Sequence, residues 1–106
     1  MTVIGTEVEV STLVLTKGRD FRWSFVNLDD NSNPEAYPGG SLYFELATSP
    51  LTTWTFTIVG DTASLKVESD QVDLIPNRTK WQLVFRPTGE AAGGDIVARG
   101  TVLVQL

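Results

Sequence analysis

Phe21-Arg22-Trp23-Ser24-Phe25 places an aromatic ring at every second position, with a charged or hydroxyl residue between. That is the period of a strand with one face on a core and the other toward solvent. The same alternation recurs in Leu42-Tyr43-Phe44-Glu45-Leu46, Trp54-Thr55-Phe56-Thr57-Ile58 and Trp81-Gln82-Leu83-Val84-Phe85. No helical period replaces it. Further strands are expected at Ser11 to Thr16, Ala63 to Val67 and Ile96 to Leu106, with residues 1–10 an extended arm or edge strand. Gly60-Asp61 reads as a hairpin turn, and residues 69–77 as a crossover with room for one helical turn. Gly100, inside the last strand, marks a bulge or a close backbone approach. The pattern predicts one all-β domain over residues 1–106, an antiparallel immunoglobulin-like β-sandwich of about seven strands. Its expected core is Trp23, Phe44, Trp54, Phe56, Trp81 and Phe85.

Composition narrows the function classes. Thirteen acidic against eight basic residues give a net charge of -5, which disfavours nucleic acid and anionic membranes as partners. With no cysteine there is no disulfide, thiol nucleophile or thiolate zinc site, and with no histidine the commonest general base is missing. No apolar run approaches the ~20 residues of a membrane helix, and Met1-Thr2-Val3-Ile4-Gly5 lacks the form of a secretory signal.

The polar clusters read as structure. Asp29-Asp30-Asn31-Ser32-Asn33 spaces oxygen ligands as a calcium loop does, but the sixth and twelfth places hold Pro34 and Gly40 where glycine and glutamate are required. Its Asx side chains are expected to bond their own backbone. Glu68, Asp70 and Asp73 crowd into one crossover and do not oppose one another across a cleft as glycosidase carboxylates do. The tryptophans keep phase with apolar neighbours and read as core, against the alternative of a sugar-stacking platform. Arg22, Arg78, Arg86 and Arg99 fall on solvent phases, as partners for the acidic excess. The chain is expected not to be an enzyme and to need no cofactor or metal. Contact residues are sought in the arm (Val8, Val10), in the long loop after the aromatic strand Phe21 to Phe25 (Asp29, Asp30, Tyr37), on a polar strand phase (Tyr43) and at the late glycine-rich tip (Glu90).

The segment Leu13-Val14-Leu15-Thr16-Lys17-Gly18-Arg19-Asp20-Phe21-Arg22-Trp23-Ser24-Phe25, followed by Tyr37-Pro38-Gly39-Gly40 and the strand from Leu42, resembles the opening of the N-terminal domain of phage baseplate upper proteins. Related actinobacteriophage sandwich domains share it, and Trp81 to Phe85 and Gly100 to Val104 extend the likeness over most of the chain. The resemblance implies a structural protein located in the virion, with other virion proteins and copies of itself as partners. Capsid decoration is the first expectation and a tail or baseplate accessory the second. A carbohydrate-binding or adhesin-type sandwich is the competing class.

Overall fold

The computed structural model describes residues 9–90 and 93–106. Eight strands and one short helix follow in order: β1 (Glu9–Thr16), β2 (Phe21–Val26), β3 (Gly40–Leu46), β4 (Thr52–Thr55), β5 (Thr57–Val59), β6 (Thr62–Val67), α1 (Ser69–Val72), β7 (Lys80–Pro87) and β8 (Asp95–Gln105). They build a five-stranded sheet, β1-β8-β7-β3-β4, facing a three-stranded sheet, β2-β6-β5. The β-sandwich is therefore borne out. Its order matches an immunoglobulin sandwich in which β2, β6 and β5 are strands B, E and D, and β3, β7 and β8 are C, F and G.

Two features differ from the expected pattern. The stretch Thr53 to Val59 does not form one strand: Thr52–Thr55 pairs with β3, and Thr57–Val59 pairs with β6 in the other sheet. Trp54 and Phe56 both point inward, and the backbone changes sheets between them while Phe56 N–H still donates to Leu42 O at 2.8 Å. Alternation continues through such a crossing, so periodicity alone reads it as a single strand. The second difference is the pair β1–β8, which is parallel. Gly100 permits it: a Cβ there would overlap the Ser11 carbonyl on β1. Close approach, and not a bulge, is thus why this position is glycine. The bulge of β8 lies earlier, with Val97 as the extra residue between the pairs Leu83↔Ala98 and Val84↔Ile96.

Phe44 is the hub of the core. Its ring lies 6.4 Å from Phe21, 5.4 Å from Phe56 and 5.4 Å from Trp81, so it joins the two sheets. Leu15 and Leu46 are almost wholly enclosed. Buried polarity is satisfied locally: Trp81 Nε1 donates to Thr101 O at 3.0 Å and Thr79 Oγ1 to Pro76 O at 2.7 Å. Two expected core rings depart from the pattern. Phe85 is half-buried, and Trp23 is 55% exposed although its inward neighbours Phe21 and Phe25 pack on the core. Trp23 lies on the edge strand of the smaller sheet, where five strands are faced by three and the sheets part in an apolar cleft.

The turn Lys17-Gly18-Arg19-Asp20 has a structural task at one end of the sandwich. Gly18 takes φ +78°, and its N–H donates to Asp73 Oδ1 at 2.8 Å. Asp20 Oδ1 accepts from Ser69 N–H at 2.9 Å, at the start of α1. Lys66 joins the cluster, 3.1 Å from Glu68 and 4.0 Å from Asp20. This turn, which carries the chain from the larger sheet (β1) to the smaller one (β2), is thereby tied to the crossover between β6 and β7.

Candidate functional site

The opposite end of the sandwich gathers the β2–β3 loop (27–39), the β5–β6 turn (60–61) and the described residues of the β7–β8 connection (88–90 and 93–94). The long loop is cross-braced throughout. Asn27 N–H donates to Asp61 O at 2.8 Å, Tyr37 N–H to Gly60 O at 2.9 Å, and Thr88 N–H to Gly39 O at 3.1 Å. Inside the loop, Leu28 and Pro34 form a bridge, and Asn27 Nδ2 donates to Glu35 O at 3.1 Å.

Asp29 shapes the tip. Its Oδ1 accepts N–H bonds from Asn31 at 2.9 Å and Asn33 at 3.0 Å, the local Asx bonding expected of this run. Asp29→Ala is expected to remove both acceptors and to lower stability by about 1 kcal/mol, read as a shift in the urea midpoint at unchanged m. An unchanged midpoint would mean that solvent bonds the two amides equally well. Among the described residues no group of three His, Cys, Asp or Glu side chains is placed to hold a metal ion.

Charge sets this end apart. Asp29, Asp30, Glu35, Asp61, Glu90 and Asp95 all belong to these segments or border them, and segments 27–39, 60–61 and 88–95 contain no lysine or arginine. Asp30 and Glu90 are exposed, whereas Asp29 is half-buried. Tyr37 is half-buried and packs against the core, and burial pushes its phenol above the ordinary tyrosine value. It anchors the loop more than it offers a free contact.

Val10 and Tyr43 lie elsewhere, on the outer face of the five-stranded sheet. Val10 is 70% exposed and registers with Arg99, which registers in turn with Gln82 and then Glu45. Gln82 Nε2 donates to Glu45 Oε1 at 3.0 Å, and the Arg86 guanidinium stands 5.9 Å from the Tyr43 ring centre. The sequence candidates therefore divide between two surfaces, the acidic loop end (Asp29, Asp30, Tyr37, Glu90) and this sheet face (Val10, Tyr43). Val8 lies outside the described residues. Sequence reasoning missed Val14 and Leu103, registered neighbours on the same face, both more than 40% exposed. The signal was present: Leu13-Val14-Leu15 and Val102-Leu103-Val104 carry apolar residues on both strand phases. This sheet face thus carries apolar, aromatic and guanidinium groups, which are enriched at protein–protein contacts, with Arg99, Gln82 and Glu45 between them. Trp54 and Trp81 are buried, so the three tryptophans do not make a sugar-stacking platform.

Comparison with known proteins agrees with this architecture. Residues 7–105 match the family described as LtfC-like, beta-sandwich domain. The minor tail protein Gp6 of Mycobacterium phage L5 is 60% identical over 55 residues, which is 52% of this chain and 18% of that protein. Gp6 of Mycobacterium phage D29 is 64% identical over 55 residues, 52% of this chain and 17% of that protein. The matched stretch is thus a small part of either relative. Among solved structures, the N-terminal domain of phage TP901-1 ORF48 superposes with a TM-score of 0.54 at 14% identity, covering 95% of this chain and 92% of that one. That likeness is one of fold.

Proposed function

The chain belongs to the LtfC-like β-sandwich domain family, and from that membership we propose that it is a non-enzymatic structural part of a bacteriophage tail. The observation that carries this reading is the identity of 60% and more with two minor tail proteins. It favours the tail over capsid decoration, which stood first in the sequence reading. The domain acts by contact. Its outer sheet face, with Val10, Val14, Leu103 and the Tyr43–Arg86 pair, packs on a neighbouring virion protein. The acidic loop end meets a basic surface, where complementary charge sets register and speeds encounter. Repetition of one modest contact around a symmetric tail gives the assembly its avidity.

Disruption of purified virions into heads and tails, followed by mass spectrometry of each fraction, tests this placement. The chain is expected with the tails at a constant ratio to the major tail protein. Recovery with the heads would return the capsid reading to first place.

A further inference from the structure

Strand β2 is an edge of the three-stranded sheet, and its one charged residue is Arg22 on the outward face. It carries no proline, no bulge and no inward-facing charge. Which of its peptide groups are free follows from the register. Asn27, one residue beyond β2, donates its N–H to Asp61 O in continuation of the β2–β6 ladder. Odd-numbered positions therefore bond toward β6, and the N–H and C=O groups of Arg22, Ser24 and Val26 point to the open side. Among the described residues no strand pairs with that side.

The open side borders the cleft between the sheets, a space of about 450 Å³ walled by Leu13, Phe21, Trp23, Phe25, Phe44 and Trp81 among others. None of its lining residues is ionisable, in a chain with 20% charged residues. Immunoglobulin sandwiches place a further strand, A, beside strand B on this edge. Here β1 pairs with β8 on the other sheet and leaves the position beside β2 open among the described residues.

Charge specifies what fits. Arg22, on the outward face of β2, stands directly opposite Lys66, an unfavourable like-charge pair. Lys66 is compensated by Glu68 and Asp20. Arg22 has no carboxylate within ion-pairing reach among the described residues.

We propose that β2 accepts an extended strand from another polypeptide, with apolar side chains at alternate positions and an aspartate or glutamate at the intervening position beside Arg22. The strand adds main-chain bonds to Arg22, Ser24 and Val26, its apolar side chains fill the cleft over Trp23, and its carboxylate neutralises Arg22. A second copy's β2 is a poor occupant because Phe21–Val26 contains no acid to offer. The inference concerns the occupant of one edge and does not depend on placement in the tail.

The test uses the full chain and a blocked octapeptide, Thr-Val-Glu-Val-Thr-Val-Thr-Val. Added peptide is expected to shift Trp fluorescence to the blue and to slow amide exchange at Arg22, Ser24 and Val26. Replacing its glutamate by lysine is expected to weaken binding about five- to tenfold. Ser24→Pro removes only an N–H that faces the open side, so it should abolish binding at an unchanged urea midpoint. If that variant fails to fold, exchange on the unsubstituted chain decides alone. Four results would overturn the proposal: no exchange protection by the peptide, equal binding of the lysine peptide, slow exchange at these three amides in the free monomer, or a dimer that forms through β2. The third would mean that the chain's own residues fill the position, and the fourth that a second copy does.

Discussion

Phe44→Ala is expected to lower the free energy of unfolding by about 3–5 kcal/mol, measured from urea curves at constant m. The ring is 4% exposed and touches aromatic partners on three sides, from β2, from the residue between β4 and β5, and from β7. Its removal leaves a cavity that none of those rings can fill without abandoning its own contacts. Trp81 is held by its Nε1 bond to Thr101 O, and Phe56 by its backbone bond to Leu42 O. Domains of this size hold about 5–15 kcal/mol in all, so the variant would lie near the edge of folding. A loss below about 1 kcal/mol would show that the sheets close over the gap and that the core is not built around Phe44.

Gly100→Ala is expected to cost about 2–3 kcal/mol and to detach β1. The new Cβ would overlap the Ser11 carbonyl oxygen and lie 2.8 Å from its carbon, both backbone atoms of a paired strand. Relief requires β1 to move away from β8, which breaks the parallel ladder from Glu9↔Ala98 to Thr16↔Gln105. Leu13 and Leu15 leave the core with it. Amide exchange should therefore accelerate along β1 more than along β3 or β7. Gly60→Ala is the useful contrast: with open space around it and φ +59°, it is expected to cost about 1 kcal/mol, with no selective effect on β1. Equal costs for the two substitutions would contradict the close-approach account of Gly100.

The strands were legible because alternation is local. Leu42 to Leu46 buries the phase its sequence marks, whereas Trp81 to Phe85 buries Trp81 and Leu83 on that phase, buries Val84 on the other and leaves Phe85 half-covered near the end of its strand. The glycine in the last strand was legible as a constraint, though only the pairing partner showed which one. What alternation does not contain is the identity of the neighbouring strand. Trp23 has the inward phase of a core residue and is exposed because β2 ends a sheet. The exchange of sheets at Phe56 and the parallel β1–β8 pair are likewise long-range facts with no local signature. The loop residues were found as a set from composition, but their division from Val10 and Tyr43 needed the topology. Tyr37 was expected at the surface and is half-buried, because its backbone is pinned to Gly60. The turn Lys17 to Asp20, which carried the likeness to phage virion domains, has a physical basis in the bonds of Gly18 and Asp20 to the α1 region.

Placement in the tail is most directly tested by labelling intact virions with gold-conjugated antibody against this chain and imaging them in negative stain. The expected result is gold confined to the tail, with the heads bare. Gold distributed over the heads, with tails bare, would contradict the account.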